Sequence, residues 1–420
     1  MSASSGSATP RLPLWAGRMI VLLGIVLVSS NLRTAATSLS PIVGEVSRDI
    51  PLGAAGLGVL GMLPPLTFAA AGIFAPRLAR RLGLEASIVV AIVAMIAGFS
   101  ARAVASEYWG LFAGTLLALA AAGAGNILLP PIVKRYFPDR IGLITSLYAT
   151  AVAVGIALPP IVAYPIAASA HWRMSLAVWA MLAIVSLPPW IAVLVQRRRS
   201  LRAALDTAPE LEEPEPALLG RIWHSRVAWA ITMVFALTSF QAYALFAWLP
   251  QLLVDQVGVS ALEAGLLLGA WGLLGMVASF IAPILVARLS NVGWVMHVGA
   301  AGFFFGYLGL LLAPGVSPWL WIALCGVGQI IFPACLALIN LRTKTHEGSI
   351  ALSGFAQAIG YLIAALGPLL VGLLHDITGG WVASLSLMCG AAVLFVYFGV
   401  VLRTPRFVED ELAARPTPAP

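Results

Sequence analysis

One arginine stands inside a long apolar run near the start of the chain: Arg33, within Asn31-Leu32-Arg33-Thr34-Ala35-Ala36-Thr37-Ser38. A guanidinium stays protonated and presents a planar fork of donors, suited to a carboxylate, a nitro group or another flat anion. At about 100° per residue, Ser30, Asn31, Arg33, Thr34, Thr37 and Ser38 fall on one arc, and Leu32, Ala35, Ala36 and Leu39 on the other. No acid shares the polar arc. The 17 Asp and Glu residues sit in loops, tails or span ends, and the five His sit in loops or near span ends. A counter-charge for Arg33 would then come from the occupant of an open cavity, an anionic or strongly polarised solute. The alternative is an arginine snorkelling to head groups, which leaves the neighbouring Asn and Thr residues unexplained. Charges inside a membrane usually mark a pathway.

Other polar and aromatic residues recur at matching depth. Asn126 and Gln329 are paired amides, Gln241 and Tyr243 share one run, and Gln357 and Tyr361 stand at i, i+4 in another. Tyr148 and Trp271 add a phenol and an aromatic wall. Each could contact a ligand or make an interhelical hydrogen bond, worth about 0.6 kcal/mol in membranes. With Arg33, Asn31, Thr34 and Thr37 they form the candidate substrate-binding set. Enzyme chemistry finds no footing. Lys134 and Lys344, the two lysines, follow no glycine-rich phosphate loop, and HExxH and GxSxG motifs are absent. Cys325, Cys335 and Cys389 form no CxxC pair, so neither a disulfide frame nor a metal site is expected. The reading is a protein that is not an enzyme and uses no cofactor.

What positions these residues is a membrane. The 420-residue chain is 60% hydrophobic and 10% charged, with a mean hydropathy of +0.97. Soluble domains carry about 25% charged residues, so a soluble globular protein is excluded. The net charge of +7 does not point to nucleic acid, because the basic residues lie in short clusters between apolar segments. Apolar runs predict twelve helices, at about 18–44, 53–75, 84–104, 108–133, 140–165, 173–196, 227–253, 262–286, 294–313, 317–341, 349–374 and 380–402. The first run lacks the flanks of a signal peptide and is expected to be a retained span. Residues 197–226, with Arg197-Arg198-Arg199 and an acidic, Pro-containing stretch, read as a linker between bundles at 1–196 and 227–420. Twenty of the 24 Lys and Arg residues fall on the side of the two termini, which places both termini in the cytoplasm. Trp109, Trp172, Trp319 and Trp381, at span ends, are expected to anchor at the membrane interface.

The halves echo each other. Gly123-Ala124-Gly125-Asn126 with Pro130 recurs as Gly326-Val327-Gly328-Gln329 with Pro333. Ala75-Pro76 with Arg81-Leu82 recurs as Ala282-Pro283 with Arg288-Leu289. Two ordered matches at nearly one offset argue for duplication. Paired six-helix repeats of this kind place a substrate site between the halves, near the midplane.

Over about residues 15–405 the chain resembles the major facilitator superfamily, and within it the cyanate and 2-nitroimidazole transporter branch (CynX/NimT). The most specific marker is the segment from Asn31 to Ser38, supported by Gly125-Asn126 with Leu128-Leu129-Pro130, Ala247-Trp248-Leu249-Pro250, Ala356-Gln357 through Gly360-Tyr361, and Gly367-Pro368 with His375-Asp376. Thr34 stands where the family has proline, a departure expected to straighten the first helix. The superfamily's loop after the second helix is matched by Gly72, Arg77, Arg80 and Arg81, with Pro76 in its acidic position. The resemblance implies an all-α integral membrane fold of twelve spans in two pseudo-repeated six-helix bundles, multi-pass in a bacterial inner membrane. It implies a carrier of a small anion, weak acid or nitroheterocycle.

The reading is a secondary carrier working by alternating access, with Arg77, Arg80, Arg81 and Arg288 as a cytoplasmic gate. Its partners would be a small-molecule solute and the bilayer, with a coupling ion left open and a monomeric chain. Two alternatives stand beside it. One is proton-coupled efflux of drugs or metabolites. The other is a non-transporting receptor on a transporter scaffold, which would call for a larger soluble output domain than the polar stretch provides.

Overall fold

In lipid a segment must satisfy its backbone hydrogen bonds internally, and long apolar runs do so as helices. The computed structural model describes residues 18–201 and 222–413. Most of the expected linker, 202–221, lies outside them. In order, the helices are α1 (Met19–Asn31), α2 (Thr34–Thr37), α3 (Val43–Asp49), α4 (Ala54–Leu82), α5 (Leu84–Val104), α6 (Tyr108–Tyr136), α7 (Ile141–Ala170) and α8 (Trp172–Leu201). There follow α9 (Arg226–Val257), α10 (Ala261–Arg288), α11 (Gly293–Leu312), α12 (Pro318–Gly328), α13 (Ile331–Leu341), α14 (His346–Thr378), α15 (Val382–Leu402) and α16 (Val408–Ala413). Among the described residues, twelve segments are long and apolar enough to cross a membrane. Two of the twelve are interrupted.

The first interruption corrects the single polar arc. The helix expected over 18–44 stops at Asn31, resumes for one turn as α2, and passes through a 3₁₀ turn at Ser40–Ile42. Hydroxyls around the break bond to helix carbonyls, a pattern that slightly destabilises and bends helices. Ser29 and Ser30 donate to the carbonyls of Ile25 and Val26, and Thr34 donates to that of Asn31 at 2.9 Å. The Leu32 amide bonds Ser29, an i→i−3 closure. Thr34 therefore does not straighten the helix. The second interruption lies at Gln329 and Ile330, between α12 and α13. Pro333 cannot donate to the Gln329 carbonyl, which accepts instead from Phe332.

Basic side chains gather at one end of the helices. Arg18 bridges to Asp139 at 2.7 Å, and the buried Glu85 lies 3.5 Å from Arg135 and accepts from the Tyr136 hydroxyl. In the second half, Arg342 donates to the Leu402 carbonyl and Lys344 pairs with Asp410. The acidic helix α16 caps two others: Glu411 accepts from Ser225 Oγ and the Val227 amide, and Glu409 from the amides of Lys344 and Thr345. Each carboxylate thus meets the unsatisfied N–H groups at the start of a transmembrane helix.

At the far end the helices pack tightly across the molecule, α4 against α14 and α7 against α10. Glycines make this possible. A Cβ at Gly61 would lie 2.6 Å from Pro368 Cβ, and one at Gly269 would lie 2.9 Å from the Ala157 carbonyl oxygen. The expected tryptophan anchors divide here. Trp109 and Trp319 are exposed, whereas Trp172 and Trp381 are buried and donate to Asp49 and Asp255. Those two tie loops to helix ends rather than facing head groups.

Candidate functional site

The break after Asn31 puts Arg33 in the middle of the molecule. Its guanidinium carbon lies 4.5 Å from the centre of the Phe68 ring on α4, a cation–π contact worth about 0.5–2 kcal/mol. Tyr361 on α14 packs edge to face on the same Phe68 ring, and Tyr243 on α9 packs on Tyr361 and lines one cavity with Arg33. A guanidinium can only donate, and a phenol beside it still has its own proton to offer. Three donor groups from three helices converge on one point.

Aromatic rings continue from there as a wall. Phe68 meets Tyr361 edge to face at 6.3 Å between centroids, Tyr361 meets Tyr243 at 6.4 Å, Tyr243 meets Phe246 at 6.0 Å, and Phe246 meets Trp271 at 5.2 Å. Edge-to-face contacts fix ring orientation. Trp271 is anchored further through its carbonyl, which accepts from Gln329 Nε2. The interruption between α12 and α13 is what turns that amide toward α10.

Two cavities flank this wall. One, of about 420 Å³, is lined by Arg33, Asn126, Tyr148, Tyr243, Trp271 and Gln329, with hydroxyls from α7 and α10. The other, of about 810 Å³, lies between α4 and α13–α14 and is lined by Phe68, Gln357 and Tyr361. Both extend toward the basic end. At the far end a small cavity of about 40 Å³ is bounded by Ser40, Gly61 and Ala247. Among the residues lining the two larger cavities, Arg33 alone carries a charge. Low-dielectric walls focus the field of such a charge into the cavity.

Of the twelve candidate binding residues, the fold brings eight to the cavity walls and turns four away. Asn31, Thr34 and Thr37 are fully buried within the helix break, where Thr34 also bonds Asn31 Oδ1 and Thr37 bonds the Arg33 carbonyl. Gln241 lines neither cavity and is fully buried. Two residues apart on a helix means about 200° of rotation, so Gln241 and Tyr243 cannot share a face, and Tyr243 takes the site. Arg77, Arg80, Arg81 and Arg288 are exposed at the basic end, with Arg77 donating to the Ile73 carbonyl beside the larger cavity. With that end open, they close nothing in this state. The reading from residue types missed Phe68, although it is the one aromatic in the run from Pro64 to Gly72. It also missed Phe246, for which no signal stands out among so many apolar neighbours.

The family model described as Major Facilitator Superfamily matches residues 21–347. The chain belongs to the Major Facilitator Superfamily. Within it, the 2-nitroimidazole transporter of Escherichia coli (strain K12) is 30% identical over 91% of this chain and 95% of its own length. The cyanate transport protein CynX of the same organism is 26% identical over 92% and 97%. An uncharacterized transporter of Bacillus subtilis (strain 168), YycB, is 31% identical over 89% and 91%. Among solved structures, the D-xylose–proton symporter superposes with a TM-score of 0.69 over 92% of this chain and 98% of its own, at 17% identity. A bacterial homologue of the human lysosomal transporter Spinster gives 0.68 over 96% and 100%, at 15% identity. These superpositions agree with the twelve-span superfamily fold. A member of this superfamily is a transporter, not an enzyme, and this one resembles the cyanate and 2-nitroimidazole branch.

Proposed function

We propose that the protein is a secondary carrier of a small anionic, weak-acid or nitroheterocyclic solute, cyanate-like or 2-nitroimidazole-like, working by alternating access. One observation carries the reading: a single guanidinium, backed by a ring face and two phenols, is the sole charge lining the smaller cavity, and no charged residue lines the larger one. A solute that neutralises it completes the site. The similarity to carriers named for cyanate and 2-nitroimidazole points to the same chemistry. No carboxylate or imidazole is found among the residues lining either cavity, so a proton relay has no side chain to rest on there.

In this reading the basic end faces the cytoplasm of a bacterial inner membrane, by the positive-inside rule, and the structure is the inward-open state. The bundles 1–196 and 227–420 rock about Arg33, and Arg77, Arg80, Arg81 and Arg288 meet when the inner side shuts. Moving one negative charge inward against ~100 mV costs ~2.3 kcal/mol. Net uptake of an anion then requires a coupled ion, exchange or consumption, whereas export or a neutral weak acid does not.

The test is uptake of radiolabelled cyanate and 2-nitroimidazole into proteoliposomes. Arg33→Ala is expected to abolish transport, and Arg33→Lys to leave a small fraction, since an ammonium keeps the charge and loses the fork. Transport unchanged in both variants would remove Arg33 from the mechanism.

A further inference from the structure

The larger cavity has two unlike walls. On α4 it presents Phe68, Ala69, Gly72 and Ile73, which offer a solute no side-chain hydrogen bond. On α14 it presents Ser349, Ser353, Gln357 and Tyr361, spaced four residues apart. An i, i+4 spacing stacks side chains on one helix face, and twelve residues at ~1.5 Å each make a ladder about 18 Å long. Its foot is at the basic end, where Asn340 of α13 joins it, and its top rung is the phenol of Tyr361, which packs on the Phe68 ring that Arg33 also faces.

The hydrogen bonds within the ladder leave donors over. Ser349 Oγ donates to Asn340 Oδ1 at 2.6 Å, so the Asn340 amide protons are not used in that bond. Gln357 Nε2 donates one proton to Ser353 Oγ at 2.8 Å, which leaves the Ser353 hydroxyl proton and a second Gln357 proton. Two hydroxyls of the smaller cavity differ, although a third, Ser239 Oγ, has no hydrogen-bond partner among the described residues. Ser146 and Ser279 donate to carbonyls one turn back in their own helices, Gly142 and Gly275, and their protons are spent.

We propose that Asn340, Ser349, Ser353 and Gln357 form a donor ladder that conducts an anion, or a solute rich in hydrogen-bond acceptors, between the basic-end mouth and Arg33. The inference rests on the carrier reading and adds a route to it. Neutral donors suit a conduit: they replace part of the solute's hydration without the deep trapping that a second cation would impose. Arg33 lines the neighbouring cavity, behind the Phe68 ring, and its field supplies direction; Tyr361 stands at the partition between the two cavities.

The experiment reads the route without depending on the solute. Ser349→Cys, Ser353→Cys and Gln357→Cys are made singly, with Ala351→Cys, on a fully buried face of α14, as control. The native cysteines are buried. Purified protein is treated with an anionic sulfonatoethyl or a cationic trimethylammonioethyl methanethiosulfonate, each rate divided by that reagent's rate with a free thiol. The three ladder positions are expected to react, several-fold faster with the anionic reagent. The bias should fall toward unity when Arg33→Gln is added, and position 351 should stay unreactive. Ladder cysteines that do not react, or that show no preference for the anion, overturn the proposal.

A second arm measures transport and binding of cyanate and 2-nitroimidazole in the Ser349→Ala/Ser353→Ala double variant. Uptake at low concentration is expected to fall several-fold while the thermal shift produced by either solute at saturation stays as in the parent. If Arg33→Ala abolishes transport and the double variant transports normally, the ladder fails and the carrier reading stands. If neither change matters, both fail.

Discussion

Two arginines lie in apolar helices, and their surroundings differ. Arg33 has a ring face, two phenols and open space. Arg102, in the last turn of α5, is fully buried against Gly114, and among the described residues none of its three guanidinium nitrogens finds a partner. A buried charge without a counter-charge costs several kcal/mol. Arg102→Met keeps most of the volume and removes the charge, so the thermal unfolding midpoint in detergent is expected to rise by several degrees. A fall would show that the folded chain compensates the guanidinium. The intramembrane position of Arg33 was legible from residue type alone. The fates of Gln241 and Tyr243 were not, because side chains two positions apart face different neighbours, and which neighbour lines the cavity depends on packing.

Helix interruptions do the positioning. Both broken spans carry a central polar residue at the break, Arg33 in one and Gln329 in the other. The Pro333 signal was present in the chain. The serines and threonines around the break in the first span read from sequence only as a polar face. Glycines at the far end set the second property of the elements, close approach. Gly61→Val and Gly269→Val place atoms where Pro368 and the Ala157 carbonyl now sit, and each should hold the far end apart. Ser40→Cys, buried beside the small cavity, is expected to react with a maleimide about tenfold faster in either background. An unchanged rate would mean that the far end closes without these contacts.

Across the molecule, charge pairs fasten the loops at both ends. Asp49 at the far end accepts from Trp172 Nε1 at 2.9 Å and pairs with Arg173 at 2.7 Å. The Trp172 hydrogen bond, then Arg173, holds its carboxyl below the ordinary value of 3.8. At the basic end the Arg18 hydrogen bond lowers Asp139 in the same way. Lowered carboxylates stabilise the folded state fully above their free pKa and lose that contribution as the pH falls through the lowered values. These two pairs therefore leave the unfolding midpoint flat from pH 7 to about 5 and lower it below about pH 4. Thermal unfolding of Asp49→Asn/Asp139→Asn should start lower at neutral pH and show a shallower acid decline. An acid decline equal to that of the parent would exclude both pairs as its source.

Membrane residence, twelve spans and a lone cation at mid-depth followed from composition and periodicity, because each is a property of a short stretch of chain in contact with lipid. The repeat at nearly constant offset showed that helices from the two halves correspond. Where the cavities lie, which of the polar residues face them, and the ring wall that backs Arg33 came from packing between residues as far apart in the chain as Phe68 and Tyr361. Those contacts join α4, α9, α10 and α14, and no local pattern encodes a neighbour brought in from another helix.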